Sequence, residues 1–210
     1  MENTYSVSMA LMDYIPVLCF IIGAFFLAKF FLKDQKRYLG WMVMIGGGLI
    51  FLGGGLQATW KLFMALNVGN FSWMSQGQFI FMAFGYSALL IPTISLISAS
   101  KLVKNAPLPA MAVWKIPFLA VMTLASLGTY GILTFVSFRR RQPLAALGFI
   151  MALLGVLVLG GMASQEQTVT MQWIEQSINA FANLGFALGS FLLFQNFKQN
   201  SEARLIDLDK

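Results

Sequence analysis

The sequence predicts an all-α integral membrane protein: a bundle of six transmembrane helices built from two three-helix repeats in inverted orientation. Three observations predict it. Hydrophobic residues fill 58% of the 210 positions and charged residues only 10%, with a mean hydropathy of +0.74, so lipid must solvate most of the surface. Six apolar windows reach the ~20 residues that a helix needs to cross the roughly 30 Å hydrocarbon core. The two halves also repeat. Ile15-Pro16 opens the first and Ile116-Pro117 the second, and Gly48, four apolar residues and Gly53-Gly54 recur as Gly155, four apolar residues and Gly160-Gly161. Trp73, Gln76 and Gly85 recur at the same spacing as Trp173, Gln176 and Gly185. Repeats with an odd number of crossings, joined by one short loop, must lie in opposite orientations. The expected organisation is a single polytopic membrane domain over 1–210, with repeat 1 at about 14–100, repeat 2 at about 114–197 and a short charged tail at 198–210.

Long apolar runs, not ~10-residue alternating segments, favour helices over a barrel, because lipid offers backbone groups no outside partner. The first helix is expected at 14–32. Residues 1–13 carry Glu2 and Asp13 and no Lys or Arg, so the window lacks the basic n-region of a cleavable signal. The second, 39–63, and the fifth, 143–163, carry the glycines: Gly46, Gly47, Gly48, Gly53, Gly54 and Gly55 in one, Gly155, Gly160 and Gly161 in the other. Small residues let backbones approach, so these two helices are predicted to cross near the pseudo-two-fold axis; interrupted helices that expose carbonyls to a substrate are the alternative. The third window, 74–100, contains Pro92, which frees the carbonyl of Ala88 and kinks the helix beside Thr93 and Ser95, as a gate or as a packing bend. The fourth, 114–137, holds Thr123, Ser126 and Thr129, which bond back to their own helix. The sixth, 172–197, follows the polar loop 164–171 as the third follows 66–73. Trp41, Trp60, Trp73, Trp114 and Trp173 fall at window ends, as an interfacial belt requires.

The basic residues do not orient this plan. With the N-terminus outside, Lys29, Lys33, Lys36, Arg37, Lys101, Lys104 and Lys115 fall inside, and Lys61, Arg139, Arg140, Arg141, Lys198, Arg204 and Lys210 outside. The bias cancels, as an inverted repeat that keeps its basic loop in both copies would make it. Parallel repeats with a seventh crossing at 101–115 are the alternative, but Lys101, Lys104, Asn105, Pro107, Pro109 and Lys115 make that segment a poor spanning helix.

Chemistry is narrowed by what is missing. The chain has no histidine and one cysteine, Cys19, so histidine ligation of haem or metal, imidazole proton shuttling and an intrachain disulfide are excluded. No nucleotide-binding glycine loop, metalloprotease helix or nucleophile–base pair occurs, and the basic loops are too short for nucleic acid. No enzyme and no cofactor is expected. The 20 Phe and 13 Met suit lipid contact and irregular packing, and specify no quinone, carotenoid or lipid ligand.

Polar residues at membrane depth are the candidates for function, because each needs a partner or water. Glu175, Gln176, Asn179 and Asn183 recur at threes and fours, so they share one face of the sixth helix. Gln78 in the third and Lys61 at the end of the second complete a tentative substrate-binding set, with Pro92, Gly48, Gly53, Gly54, Gly155, Gly160 and Gly161 as hinge or packing positions. Lys61 could instead snorkel to the headgroups and Glu175 complement its helix dipole. The inverted plan puts those two on opposite membrane faces. A small transporter or channel with its site between the repeats is expected, in a prokaryotic cytoplasmic membrane; the alternative is a non-catalytic accessory subunit of a respiratory, photosynthetic or transport assembly. The expected partners are the bilayer and other membrane subunits or further copies of the chain.

Overall fold

The computed structural model describes residues 6–97, 115–162 and 168–208. They form seven helices: α1 Val7–Met12, α2 Tyr14–Asp34, α3 Arg37–Ala65, α4 Ser72–Ser95, α5 Lys115–Arg139, α6 Pro143–Met162 and α7 Val169–Leu208. Helix α1 leads almost directly into α2, and six spans are long and apolar enough to cross a membrane. No strand occurs among the described residues. A multipass membrane bundle follows. Helix α7 continues unbroken to Leu208, into the segment expected to be a tail.

Local chemistry ends the helices. Helices α3 and α5 both close with a left-handed residue, Asn67 at φ 55° and Arg141 at φ 58°. The next amide then reaches back to the last turn: Val68 N–H donates to Phe63 O at 3.0 Å, and Gln142 N–H to Ser137 O at 2.9 Å. This hydrogen-bond pattern satisfies the carbonyls that a helix end orphans. Pro143, which has no amide to lose, starts α6. In α4, Pro92 is buried; the Thr93 hydroxyl donates to Leu90 O at 2.8 Å and Ser95 to Pro92 O at 2.6 Å, so both hydroxyls bond back to their own helix around the proline.

The helices close into a ring in which α2 packs on α3 and α7, α4 on α3 and α5, and α6 on α5 and α7. Ring pairs give the directions. Phe20 stacks on Phe186, Phe26 meets Phe191 and Phe30 meets Phe197, so α2 and α7 run parallel. Asp13 pairs with Lys61 while Gly40 abuts Leu32, so α3 returns antiparallel to α2. Arg140, just past α5, lies 2.6 Å from Asp34 at the end of α2. Helices α2, α4, α5 and α7 therefore point one way, from an "Asp13 end" to an "Asp34 end", and α3 and α6 point back.

That arrangement corrects the inverted plan. Residues 33–38 and 139–142, expected on opposite faces, meet at the Asp34 end, and the two three-helix units share one orientation. The premise that failed is the short loop: α4 ends at the Asp34 end and α5 begins at the Asp13 end. The alternative seventh crossing at 101–115 lies outside the described residues.

Glycine packing shows the repeat at atomic scale, in a different register from the sequence match. A Cβ on Gly85 would lie 2.8 Å from Gly46 O, and one on Gly185 2.7 Å from Gly148 O. Gly53 likewise faces Gln78 and Met82 of α4, as Gly155 faces Ile178 and Ala182 of α7. Gly46 thus corresponds to Gly148 and Gly53 to Gly155, displacing the match of Gly48 with Gly155. The glycines join α3 to α4 and α6 to α7 within each unit; α3 and α6 do not pack together, contrary to the expected central crossing.

Candidate functional site

The site begins with a charge pair made by the first hairpin. Asp13 stands between α1 and α2, and Lys61 near the end of α3, both almost equally far from the α2–α3 turn, so antiparallel packing brings them level. Their side chains meet at 2.6 Å with 5% and 9% of their surface exposed. Lys61 therefore points inward to a carboxylate; the snorkelling alternative is corrected. Beside them the Thr59 hydroxyl donates to Gly55 O at 2.7 Å and accepts from Tyr14 OH at 2.8 Å, tying α2 to α3. Removing two charges from water costs several kcal/mol per ion after relaxation, which a pair recovers only with close geometry and further hydrogen bonds.

Amides supply the polar surroundings. Asp13 and Lys61 line a partly open cavity of about 190 Å³, together with Gln57 of α3, Gln78 of α4, and Gln176, Asn179 and Asn183 of α7. At roughly 30 Å³ per water, the space suits about six waters or a small solute. Asn183 Nδ2 donates to both Asn179 O and Asn179 Oδ1 at 2.8 Å, which orients that pair along the α7 face. Gln57 Oε1 and Asp13 Oδ1 are buried and accept no hydrogen bond from the described residues. Gly54 lets Val17 approach, where a Cβ would sit 2.8 Å from Val17 Cγ2, and both residues border the cavity.

Toward the bundle centre the wall turns apolar, through Ile50 and Met82 to Phe20 and Tyr86. These last two belong to an aromatic layer. Phe20 stacks on Phe186 at 5.0 Å and meets Tyr86 edge-on at 5.8 Å; Tyr130 packs on Phe186 at 5.5 Å. The hydroxyls of Tyr86 and Tyr130 face each other at 3.4 Å, which gives each buried phenol a polar partner. Beyond the layer, Leu27, Phe30, Phe31, Leu133 and Leu193 are fully buried, and the Arg140 guanidinium lies 4.8 Å above the Phe30 ring while pairing with Asp34. The Asp34 end is closed.

Five of the six binding residues expected from sequence, Gln176, Asn179, Asn183, Gln78 and Lys61, border this one cavity. Glu175 does not; the face that turns inward is that of Gln176, Asn179 and Asn183. It does lie toward the same end of the bundle as Lys61, which corrects the expected separation of the two across the membrane. Pro92 is buried on the far side of the aromatic layer, away from the cavity. Gly53, Gly54 and Gly155 stand at close approaches, whereas a Cβ on Gly48, Gly160 or Gly161 would meet nothing within 4 Å. Asp13, Phe20 and Tyr86 were not anticipated; Gln57 was among the polar groups at membrane depth that the sequence offers near the end of the second helix. The signal for Asp13 was its near-equal distance with Lys61 from the hairpin turn.

No protein-family model matches the chain, and no curated protein or solved structure matches it significantly. Function must be argued from the chemistry of the cavity.

Proposed function

We propose that the protein moves a small polar solute across a membrane, binding it in the cavity between α2, α3, α4 and α7. One observation carries this: a buried ion pair and amides from three helices converge on one partly open space that ends on an aromatic layer. Polar groups at membrane depth cost several kcal/mol each unless they face a partner or water. Gathered around a cavity, they instead form a polar binding site, the usual use of such residues inside a bilayer. A partly open cavity toward the Asp13 end, with closure at the Asp34 end, is one state of an alternating-access cycle, and two like-oriented repeats about an axis along the bundle are one of the plans on which secondary transporters are built. Amides and a paired carboxylate bind and orient; they offer no activated nucleophile, so we read the site as non-enzymatic.

Charge supports an orientation. Because the two units run the same way, Lys29, Lys33, Lys36, Arg37, Arg139, Arg140, Arg141 and Lys198 gather toward the Asp34 end, against Lys61 and the start of α5 at Lys115 toward the other. Among the described residues, the cancellation found with inverted repeats disappears. The positive-inside rule then turns the Asp34 end to the cytoplasm, so solute enters the cavity from the outer face of a prokaryotic cytoplasmic membrane.

Uptake of radiolabelled amino acids, sugars and polyols into proteoliposomes tests this. At least one should accumulate above empty liposomes, and Asn179→Leu, which replaces an amide at the cavity wall, should abolish that uptake while leaving the protein folded in detergent. Absence of uptake across the panel, or an Asn179→Leu protein that transports normally, would make an accessory subunit the better account.

A further inference from the structure

The geometry points to a small apolar α-amino acid, bound as its zwitterion, as the solute class of this cavity. The inference rests on the transport role proposed above. Two acceptors start the argument. Asp13 Oδ1 and Gln57 Oε1, from neighbouring helices, are buried without a donor among the described residues, and both residues line the cavity. Buried acceptors left unmade cost about 1–3 kcal/mol each, more when charged, so the site favours a ligand with several N–H donors on one atom. An ammonium group supplies them.

A bare cation does not suit the site. Lys61 Nζ lies 2.6 Å from the other Asp13 oxygen, so the pair is already neutral and an added positive charge would stand beside a buried lysine. A ligand that brings its own carboxylate removes that conflict: its ammonium faces Asp13 and Gln57, and its carboxylate faces Lys61. The donors and acceptors of Gln78, Gln176 and Asn179 complete the polar surroundings. Deeper in, Phe20, Met82 and Tyr86 offer an apolar floor, which suits an aliphatic side chain and disfavours the hydroxyls of a sugar. The cavity of about 190 Å³ limits the side chain to a small one.

The test is uptake of radiolabelled L-valine into proteoliposomes holding the full chain, beside radiolabelled glucose and glycerol. Valine should accumulate. Unlabelled 3-methylbutanoate, which lacks the amine, and isobutylamine, which lacks the carboxylate, should not compete with it. Asp13→Asn should lower valine uptake roughly tenfold or more, the worth of a charge-assisted hydrogen bond. Should Asp13→Asn fail to fold, the reversed pair Asp13→Lys/Lys61→Asp keeps the ion pair: a merely structural pair predicts normal uptake, whereas a ligand-binding pair predicts its loss. Competition by either valine fragment, or normal uptake by the reversed pair, would overturn the zwitterion assignment. Uptake of glucose or glycerol without valine would also overturn it while leaving the transport role intact. Uptake of none of the three solutes would overturn the zwitterion assignment, and absence of uptake across the whole panel of amino acids, sugars and polyols would overturn the transport role as well.

Discussion

Replacing Gly148 by alanine should destabilise the protein, while the same change at Gly160, in the same helix, should not. A Cβ on Gly148 would lie 2.5 Å from Gly185 O and 2.8 Å from Gly189 N, whereas one on Gly160 would meet nothing within 4 Å. The obstacles at Gly148 are backbone atoms of α7, so no side chain can rotate away. Helix α6 must move out until a contact of 2.5 Å opens to the ordinary 3.4 Å or more, loosening the seam that also includes Gly155 against Ala182. Overpacking of this kind costs about 1–3 kcal/mol. Alanine gains up to about 1 kcal/mol over glycine within a helix, so Gly148→Ala should lose up to about 2 kcal/mol net and Gly160→Ala should gain a few tenths or more. For a chain of this length that separates the two melting temperatures by several degrees, at about 2–4 °C per kcal/mol. Thermal unfolding in a mild detergent, monitored by size-exclusion chromatography after heating, reads the difference. Equal stability of the two variants would refute the claim that α6 and α7 meet backbone to backbone.

Two further outcomes follow from the ion pairs. Lys61→Met leaves a buried carboxylate without its counter-charge and should cost about 3–5 kcal/mol, whereas Asp13→Leu/Lys61→Met removes both charges and should recover most of that loss, measured by the same thermal assay. In a Cys19→Ala background, Asp34→Cys with Arg140→Cys, joined by a reducible bifunctional thiol reagent that spans the space left by the two longer side chains, should lock the closed end; uptake should fall on cross-linking and return on reduction, and unimpeded uptake by the cross-linked protein would show that this end does not open during transport.

The spans were legible because lipid imposes a simple rule: a helix must stay apolar for about 20 residues, and each predicted window matches a helix. The polar face of α7 was legible for a related reason, since Gln176, Asn179 and Asn183 recur with helical spacing among apolar neighbours. Direction was not. It depends on the end of the bundle at which α5 begins, and Lys101, Lys104, Pro107 and Pro109 weighed against a crossing between the two halves. Glycine register was obscured by abundance: with seven glycines in α3, a match of Gly48 to Gly155 looks as good as the pairing of Gly46 with Gly148 that the helix contacts select. Asp13 was hidden because a carboxylate just before an apolar run has the same sequence signature whether it faces water or a lysine on the next helix. Phe20 and Tyr86 were hidden because, in a chain with 20 Phe, an aromatic side chain at the wall of a cavity reads the same as one facing lipid.

Single cysteines at Gln35, Arg141 and Asn70, in a Cys19→Ala background, measure the arrangement on which the proposed outward-facing cavity depends. All three positions are exposed; Gln35 and Arg141 lie in the turns at the Asp34 end, and Asn70 between α3 and α4 at the Asp13 end. In intact cells, a membrane-impermeant maleimide should label Asn70→Cys and should reach Gln35→Cys and Arg141→Cys only after the membrane is opened. Labelling of Gln35→Cys and Arg141→Cys from opposite sides would contradict the parallel repeats, and protection of Asn70→Cys alone would place the cavity mouth on the cytoplasmic face.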